Sequence, residues 1–197
     1  MLNIKHYTDS DYRTEPWKNG KGETSVIAMD EHSPFLWRLS RALLKEDGPF
    51  SDYTSYQRLF VLLKGGPVDI QHAEKKGRVL SEMTPYTFDG SWKTEARLKS
   101  MAVDFNVLLL QEKCRGSLYP TFLKRNAEMQ FPISGTEHFI YCVEGQIEVL
   151  ESNNAEKIHL KAGETLQVSR KSKKEFLNLR AVATSDRASC LWIPLHT

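Results

Sequence analysis

The chain is poor in the features that announce most chemistries. Its three cysteines, Cys114, Cys142 and Cys190, are an odd number at wide spacing, which supports neither a disulfide framework nor a zinc site. Cys142 sits in an apolar run and suits a small core residue. No apolar run approaches the ~20 residues that cross a bilayer. The start, Met1-Leu2-Asn3-Ile4-Lys5-His6-Tyr7, lacks a basic segment followed by an apolar stretch. Neither a membrane partner nor a signal peptide is therefore expected, and the default location is cytoplasmic. Charge of one sign is missing too. Lys and Arg number 27 against 25 Asp and Glu, a net +2, which gives no electrostatic case for nucleic acid. The one dense basic stretch, Arg170-Lys171-Ser172-Lys173-Lys174, falls between strand-like segments and reads as a solvated turn. There is no Gly-x-Ser-x-Gly elbow, no phosphate loop and no dinucleotide fingerprint. Gly20-Lys21-Gly22-Glu23-Thr24 lacks the Gly-Lys-Ser/Thr ending and following helix of a phosphate cradle. It reads as a tight turn into a strand, since glycine reaches positive φ freely.

What is present is strand. At 40% apolar and 26% charged over 197 residues, the composition is that of a globular protein with a sizeable core. Thr24–Met29 and Trp37–Leu44 alternate, with a Ser33-Pro34 turn between them. Trp37 and Leu39 share one face; Arg38, Ser40 and Ala42 share the other. Ala96 to Leu108 continues the β pattern and is expected to close a first barrel. Leu118 to Phe131 is ambiguous, although Tyr119-Pro120 and Phe131-Pro132 argue against a long helix. The best helical candidate is a short turn near Asp9–Tyr12.

One β-rich unit is written twice. Arg58–Gly65, Gly66–Ile70 and Leu80–Phe88 recur as Glu137–Glu144, Gly145–Val149 and Leu160–Val168, at offsets of 79 for the glycines and 80 for the leucines. A near-constant offset across three segments argues for internal duplication. The fold class expected is all-β, with two stacked sandwich barrels of the cupin or jelly-roll type. Residues 1–110 form the first barrel, with a ligand pocket, and residues 111–197 the second.

Many cupin barrels hold a metal on several His and carboxylate donors converging in the mouth. Neither copy has that set. His72 lies in a polar stretch, and His138 beside Glu137 stands alone at a strand start. No catalytic transition metal and no cofactor are expected. Another polar set is harder to explain: Trp17, Asn19, Thr24, Arg38, Ser40, Ser51, Arg58, Asp104 and Asn106, in or beside strands. On an inward face, Arg38 or Arg58 would pair with Asp104 or with an anionic ligand, and arginine's planar fork suits a carboxylate. On an outward face the same residues would simply be solvated.

Five segments carry a family resemblance. Trp17-Lys18-Asn19-Gly20-Lys21-Gly22-Glu23-Thr24, Trp37-Arg38-Leu39-Ser40-Arg41-Ala42, Gly48-Pro49-Phe50-Ser51, Arg58 leading an apolar run to Gly65, and Asp104-Phe105-Asn106-Val107 resemble the HutD/Ves family in order and spacing. The chain departs at Ser55-Tyr56-Gln57, where many relatives carry a Gly followed by Asp or Glu next to the Arg. The resemblance implies a bicupin, one chain folded into two cupin barrels. It also implies a link to histidine utilisation or stress responses, and a small acidic metabolite such as formylglutamate or urocanate as ligand. Trp17, Asn19, Thr24, Arg38, Ser40, Arg58, Asp104 and Asn106 become the pocket candidates.

Three functions follow as expectations. The first is metal-independent binding of a small carboxylated metabolite, with no catalytic residue and a regulatory role. The second is a metal-free isomerase or hydrolase with Asp104 as general base. The third is a purely structural charged interior, with an outer sheet face pairing two copies as a homodimer.

Overall fold

The computed structural model describes residues 2–18, 20–151, 157–170 and 177–197. The strands are β1 (Leu2–Tyr7), then, after a 3-10 turn at Asp9–Asp11, β2 (Arg13–Pro16), β3 (Gly22–Met29), β4 (Trp37–Leu44), β5 (Gly48–Pro49), β6 (Tyr56–Gly65), β7 (Val68–His72), β8 (Lys75–Leu80), β9 (Pro85–Asp89), β10 (Thr94–Leu98) and β11 (Ala102–Leu110). The chain continues with β12 (Arg115–Gly116), β13 (Tyr119–Lys124), β14 (Glu128–Ile133), β15 (Glu137–Glu144), β16 (Gln146–Glu151), β17 (Lys157–Lys161), β18 (Thr165–Arg170), β19 (Leu177–Ala183) and β20 (Arg187–His196). The ambiguous stretch from Leu118 is thus two strands, and the candidate helix is one 3-10 turn. The basic run from Lys171 to Lys174 lies outside the described residues.

Two compact units result: Tyr12–Arg115, and Met1–Asp11 together with Gly116–Thr197. A first barrel over residues 1–110 would include β1. In the structure β1 pairs with β18 from Leu2↔Arg170 to Tyr7↔Thr165, and Tyr7 Oη donates to Gln167 at 2.6 Å.

The Tyr12–Arg115 unit has a six-stranded sheet, β2-β3-β4-β11-β6-β9, and a four-stranded one, β5-β10-β7-β8. The other unit has β1-β18-β15-β20-β12, with β13 also on β20, and β14-β19-β16-β17. All four sheets are open paths of strands, so no closed barrel forms among the described residues. The first small sheet ends in a two-residue strand, β5, and in the basic β8 with Lys75, Lys76 and Arg78. Short and charged edges of this kind resist further pairing. The run from Ala96 to Leu108 does not close a barrel either. Residues 99–101 break it, leaving β10 in the small sheet and β11 in the large one.

Each unit buries an apolar cluster between its sheets. In the first, Leu44, Phe60 and Leu62 of the large sheet meet Val68, Ile70, Leu80 and Ala96 of the small one. In the second, Ile140, Cys142, Leu166 and Cys190 meet Ile147, Val149, Leu160 and Leu179. Strand β11 is buried on both faces from Asp104 to Leu110: Asp104 and Asn106 alternate with Phe105 and Val107, and the strand ends in an apolar run to Leu110. No described helix is long and apolar enough to cross a membrane.

Candidate functional site

A cavity of about 520 Å³ opens within the Tyr12–Arg115 unit. Alternation builds its floor. Thr24 and Val26 of β3, Arg38, Ser40, Ala42 and Leu44 of β4, and Asp104 and Asn106 of β11 all project into it, and the register sets them side by side: Ser40 faces Val26 and Asn106, and Ala42 faces Thr24 and Asp104. Arg58 enters from β6. Arg13, Glu15, Trp17 and Lys18 form one side and the turn Pro49–Tyr53 the other. The structure therefore gathers Trp17, Thr24, Arg38, Ser40, Arg58, Asp104 and Asn106 around one space. Asn19 lies outside the described residues.

The charges are not paired directly as the sequence suggested. Asn106 stands between Arg58 and Asp104. Its Oδ1 accepts from Arg58 Nη1 at 3.1 Å, and its Nδ2 donates to Asp104 Oδ1. Arg58 Nη2 donates to the Ser51 carbonyl at 3.0 Å. A carboxamide has an acceptor end and a donor end, so a single side chain links a cation to an anion, with one N–H and one oxygen lone pair left over. Arg58 is 6% exposed and Asp104 1%. Burial lowers the Arg58 pKa to about 10, against the opposing pull of Asp104, so the guanidinium stays charged at neutral pH. Burial also pushes Asp104 up to about 7, against Arg58, Asn106 and the Ala42 backbone.

Arg38 is held differently. Its guanidinium carbon lies 4.9 Å from the ring centre of Tyr53 and 5.7 Å from that of Phe35. Tyr53 also lies 5.3 Å from the Arg58 guanidinium, with Phe50 at 5.1 Å. Such contacts hold a guanidinium without using its N–H groups. Among the described residues, Nε of both arginines is buried with no hydrogen-bond partner. Tyr53 was not singled out from the sequence, because a loop aromatic belongs to no period. The loop is anchored at Gly90, whose N–H donates to the Tyr56 carbonyl and whose carbonyl accepts from Tyr53 N–H. A Cβ on Gly90 would sit 2.5 Å from the Tyr53 carbonyl oxygen.

Trp17 donates from Nε1 to Thr24 Oγ1 at 2.8 Å, so Thr24 orients the indole wall. The Gly20–Gly22 turn behaves as the tight entry turn expected. Trp17 N–H donates to the Gly22 carbonyl at 2.9 Å, and a Cβ on Gly22 would lie 2.9 Å from the Trp17 ring.

The site suits anions better than cations. Among the described residues no group of three or more His, Cys, Asp or Glu is placed to hold a metal. The only buried carboxylate in the cavity, Asp104, is already bonded and shares the space with two guanidinium groups. His72 is in a closed network, its side chain buried while Ala73 and Glu74 after it are exposed. Thr94 donates to the Trp92 carbonyl, so it accepts from His72 Nδ1 at 2.9 Å, and Tyr86 Oη donates to Nε2 at 2.8 Å.

The other unit repeats the strand order without the chemistry. Aligned on the left-handed glycines Gly65 and Gly145, His138, Cys190 and Trp192 take the sheet positions of Arg58, Asp104 and Asn106. Trp192 stacks on Tyr119 and Phe131 at 5.2 and 5.4 Å. His138 is fully buried, and its Nε2 accepts from Gly135 N–H at 3.1 Å. Burial pulls its pKa down to about 4.

Comparison with known proteins places this geometry. Residues 9–188 match the HutD family. An uncharacterised 21.2 kDa protein from the hutC 3' region of Pseudomonas putida is 33% identical over 60% of this chain and 64% of its own. Protein Ves of Escherichia fergusonii is 29% identical over 60% of this chain and 67% of its own. The chain thus spans about two thirds of the length of each. Among solved structures, HutD from Pseudomonas fluorescens SBW25 superposes with a TM-score of 0.83, at 26% identity and 98% coverage of both chains. A conserved protein of unknown function from Pseudomonas aeruginosa PAO1 gives 0.88 at 23% identity, covering 99% of both. A cupin 2 conserved barrel protein from Leptotrichia buccalis gives 0.57 at 11% identity and 91% coverage of both, so the all-β fold is of cupin type. With nearly its whole length matched, this chain belongs to the HutD/Ves family.

Proposed function

We propose that the cavity binds a small carboxylated metabolite, held at its carboxylate by Arg38 and Arg58. The observation that carries this reading is unused donor capacity. Among the described residues none accepts a hydrogen bond from the Arg38 guanidinium, and Arg58 Nε lacks a partner as well. Buried N–H groups left unmade are costly, and a carboxylate can accept two parallel bonds from one guanidinium. Trp17 supplies an apolar wall. Polar substituents are read by the Ser40 hydroxyl, by the remaining N–H and lone pair of Asn106 and, at the rim, by Lys18. Formylglutamate and urocanate fit this chemistry. A regulatory place in histidine utilisation, in the cytoplasm, rests on the family resemblance. The shared order β4-β11-β6-β9 and β13-β20-β15-β18 supports reading the chain as a duplicated bicupin.

Calorimetric titration with formylglutamate, urocanate and an uncharged amide analogue tests the proposal. Binding of an acid, lost with the amide and weakened at least about tenfold in Arg58→Lys, is expected, because the fork geometry is removed while the charge stays. No heat with any acid would sink it. A second reading has one observation behind it: a buried carboxyl titrating near 7 suits a general base. Turnover of either acid by the wild type, abolished in Asp104→Asn, would favour a metal-free isomerase or hydrolase.

A further inference from the structure

We propose that the cavity takes up its anion together with a proton, and that Asp104 is the group that receives it. This rests on the binding reading above and concerns how that site is regulated. Asp104 is 1% exposed and reaches Arg58 only through Asn106. The groups around it are few. Arg58 comes from β6, Arg38 from β4 and Tyr53 from the Pro49–Tyr53 turn, while Arg13, Glu15 and Lys18 stand at the rim. No titratable group reaches the cavity from β3, which contributes Thr24 and Val26.

In the empty cavity the Asp104 carboxylate is sustained mainly by the Arg58 charge and by two hydrogen bonds, against full burial. These opposing effects leave it near the point of protonation at neutral pH. A carboxylate docking on Arg38 and Arg58 changes that balance. It adds a negative charge to the cavity that Asp104 lines and answers the guanidinium charge that Asp104 had been sharing. Two carboxylates confined to one low-dielectric site do not both ionise readily. Proton uptake at Asp104 relieves the repulsion without breaking the Asn106 bridge, because the carbonyl oxygen of a protonated carboxyl still accepts from an amide. The proton comes from solvent and resides on the Asp104 carboxyl; no covalent bond to the ligand forms.

The sign of the effect follows from linkage. Below the pKa of the free site Asp104 is protonated before and after binding, so affinity is independent of pH. Above it, binding consumes a proton, and affinity falls by up to about tenfold for each pH unit. Arg58 remains charged throughout this range. The device would make the protein a tighter acid binder in slightly acidic than in alkaline conditions.

The test is titration calorimetry of the full chain with formylglutamate and with acetate, whose carboxylates remain ionised above pH 6. Each titration is run at each pH in two cationic amine buffers of different ionisation enthalpy, which leave the anion site free. Near pH 8 the observed heats should differ between buffers by an uptake approaching one proton, falling toward zero near pH 5.5. Affinity should drop between pH 7 and 8.5, and Asp104→Asn should bind with a flat profile over the same range. Binding with no proton uptake at pH 8 overturns the inference and leaves the binding reading standing, as does an Asp104→Asn protein that keeps the wild-type slope. Binding of neither acid at any pH overturns both.

Discussion

Asn106 is the residue on which the cavity's electrostatics turn. By accepting from Arg58 and donating to Asp104 it lets both charges lie buried without touching. Replacing it by leucine keeps the volume and removes both bonds, leaving two buried ionic groups short of a partner. Urea unfolding of Asn106→Leu should show a loss of about 2–4 kcal/mol; a loss within error would mean the bridge is incidental. Ser55 offers the opposite case. It has φ +74°, the left-handed region that glycine enters freely and other residues do not. It lies in the loop into Arg58, where this chain departs from many relatives. Ser55→Gly should raise the melting temperature by a few degrees at most, since relief of about 1 kcal/mol is partly offset by glycine's entropy. At this scale the sequence disclosed residue types and faces. Arg38 with Ser40, and Asp104 with Asn106, were legible because a strand alternates. The bridging role of Asn106 was not, because it depends on distances between strands 48 positions apart. Tyr53 was missed for want of any period.

At the scale of elements, pairing explains what the pattern could not. Strand β11 lies between β4 and β6, buried on both faces from Asp104, and its polar–apolar alternation from Asp104 to Val107 gives no mark of where the strand begins. The turn at residues 99–101 therefore passed as strand. Strand β15 gives a prediction of its own. His138 at its start is neutral in the fold, with its pKa lowered to about 4 from an ordinary value near 6.5. A depressed folded-state pKa contributes stability above the unfolded value, and that contribution is lost as pH falls toward the folded one. Wild-type stability should therefore fall between pH 6.5 and 4, with His138 accounting for up to roughly 3 kcal/mol. His138→Gln, which can still accept from Gly135 but does not titrate, should lack this component in urea melts at the two pH values. An identical slope in both proteins would remove His138 from the account.

For the whole molecule, the strand-rich character was legible in the sequence, and the structure is all-β in two compact units. Sheet closure was not legible, because alternation sets which face a side chain takes and says nothing of whether the outermost strands meet. Nor could local pattern reveal that β1 pairs with β18, more than 150 residues away. The two units diverge in chemistry at matching sheet positions: Arg58, Asp104 and Asn106 in one, His138, Cys190 and Trp192 in the other. A ligand should accordingly protect one unit alone. Hydrogen exchange with saturating formylglutamate is expected to slow amides in β4, β6, β11 and the Pro49–Tyr53 turn, leaving β13, β15 and β20 unchanged. Protection centred on the second group would relocate the site.

The most direct measurement is a crystal structure of the protein soaked with formylglutamate. The account predicts a carboxylate within about 3 Å of the guanidinium groups of both Arg38 and Arg58, above the Tyr53 ring and beside Trp17. A cavity holding only water while the acid binds elsewhere, or arginines turned out to solvent, would contradict it.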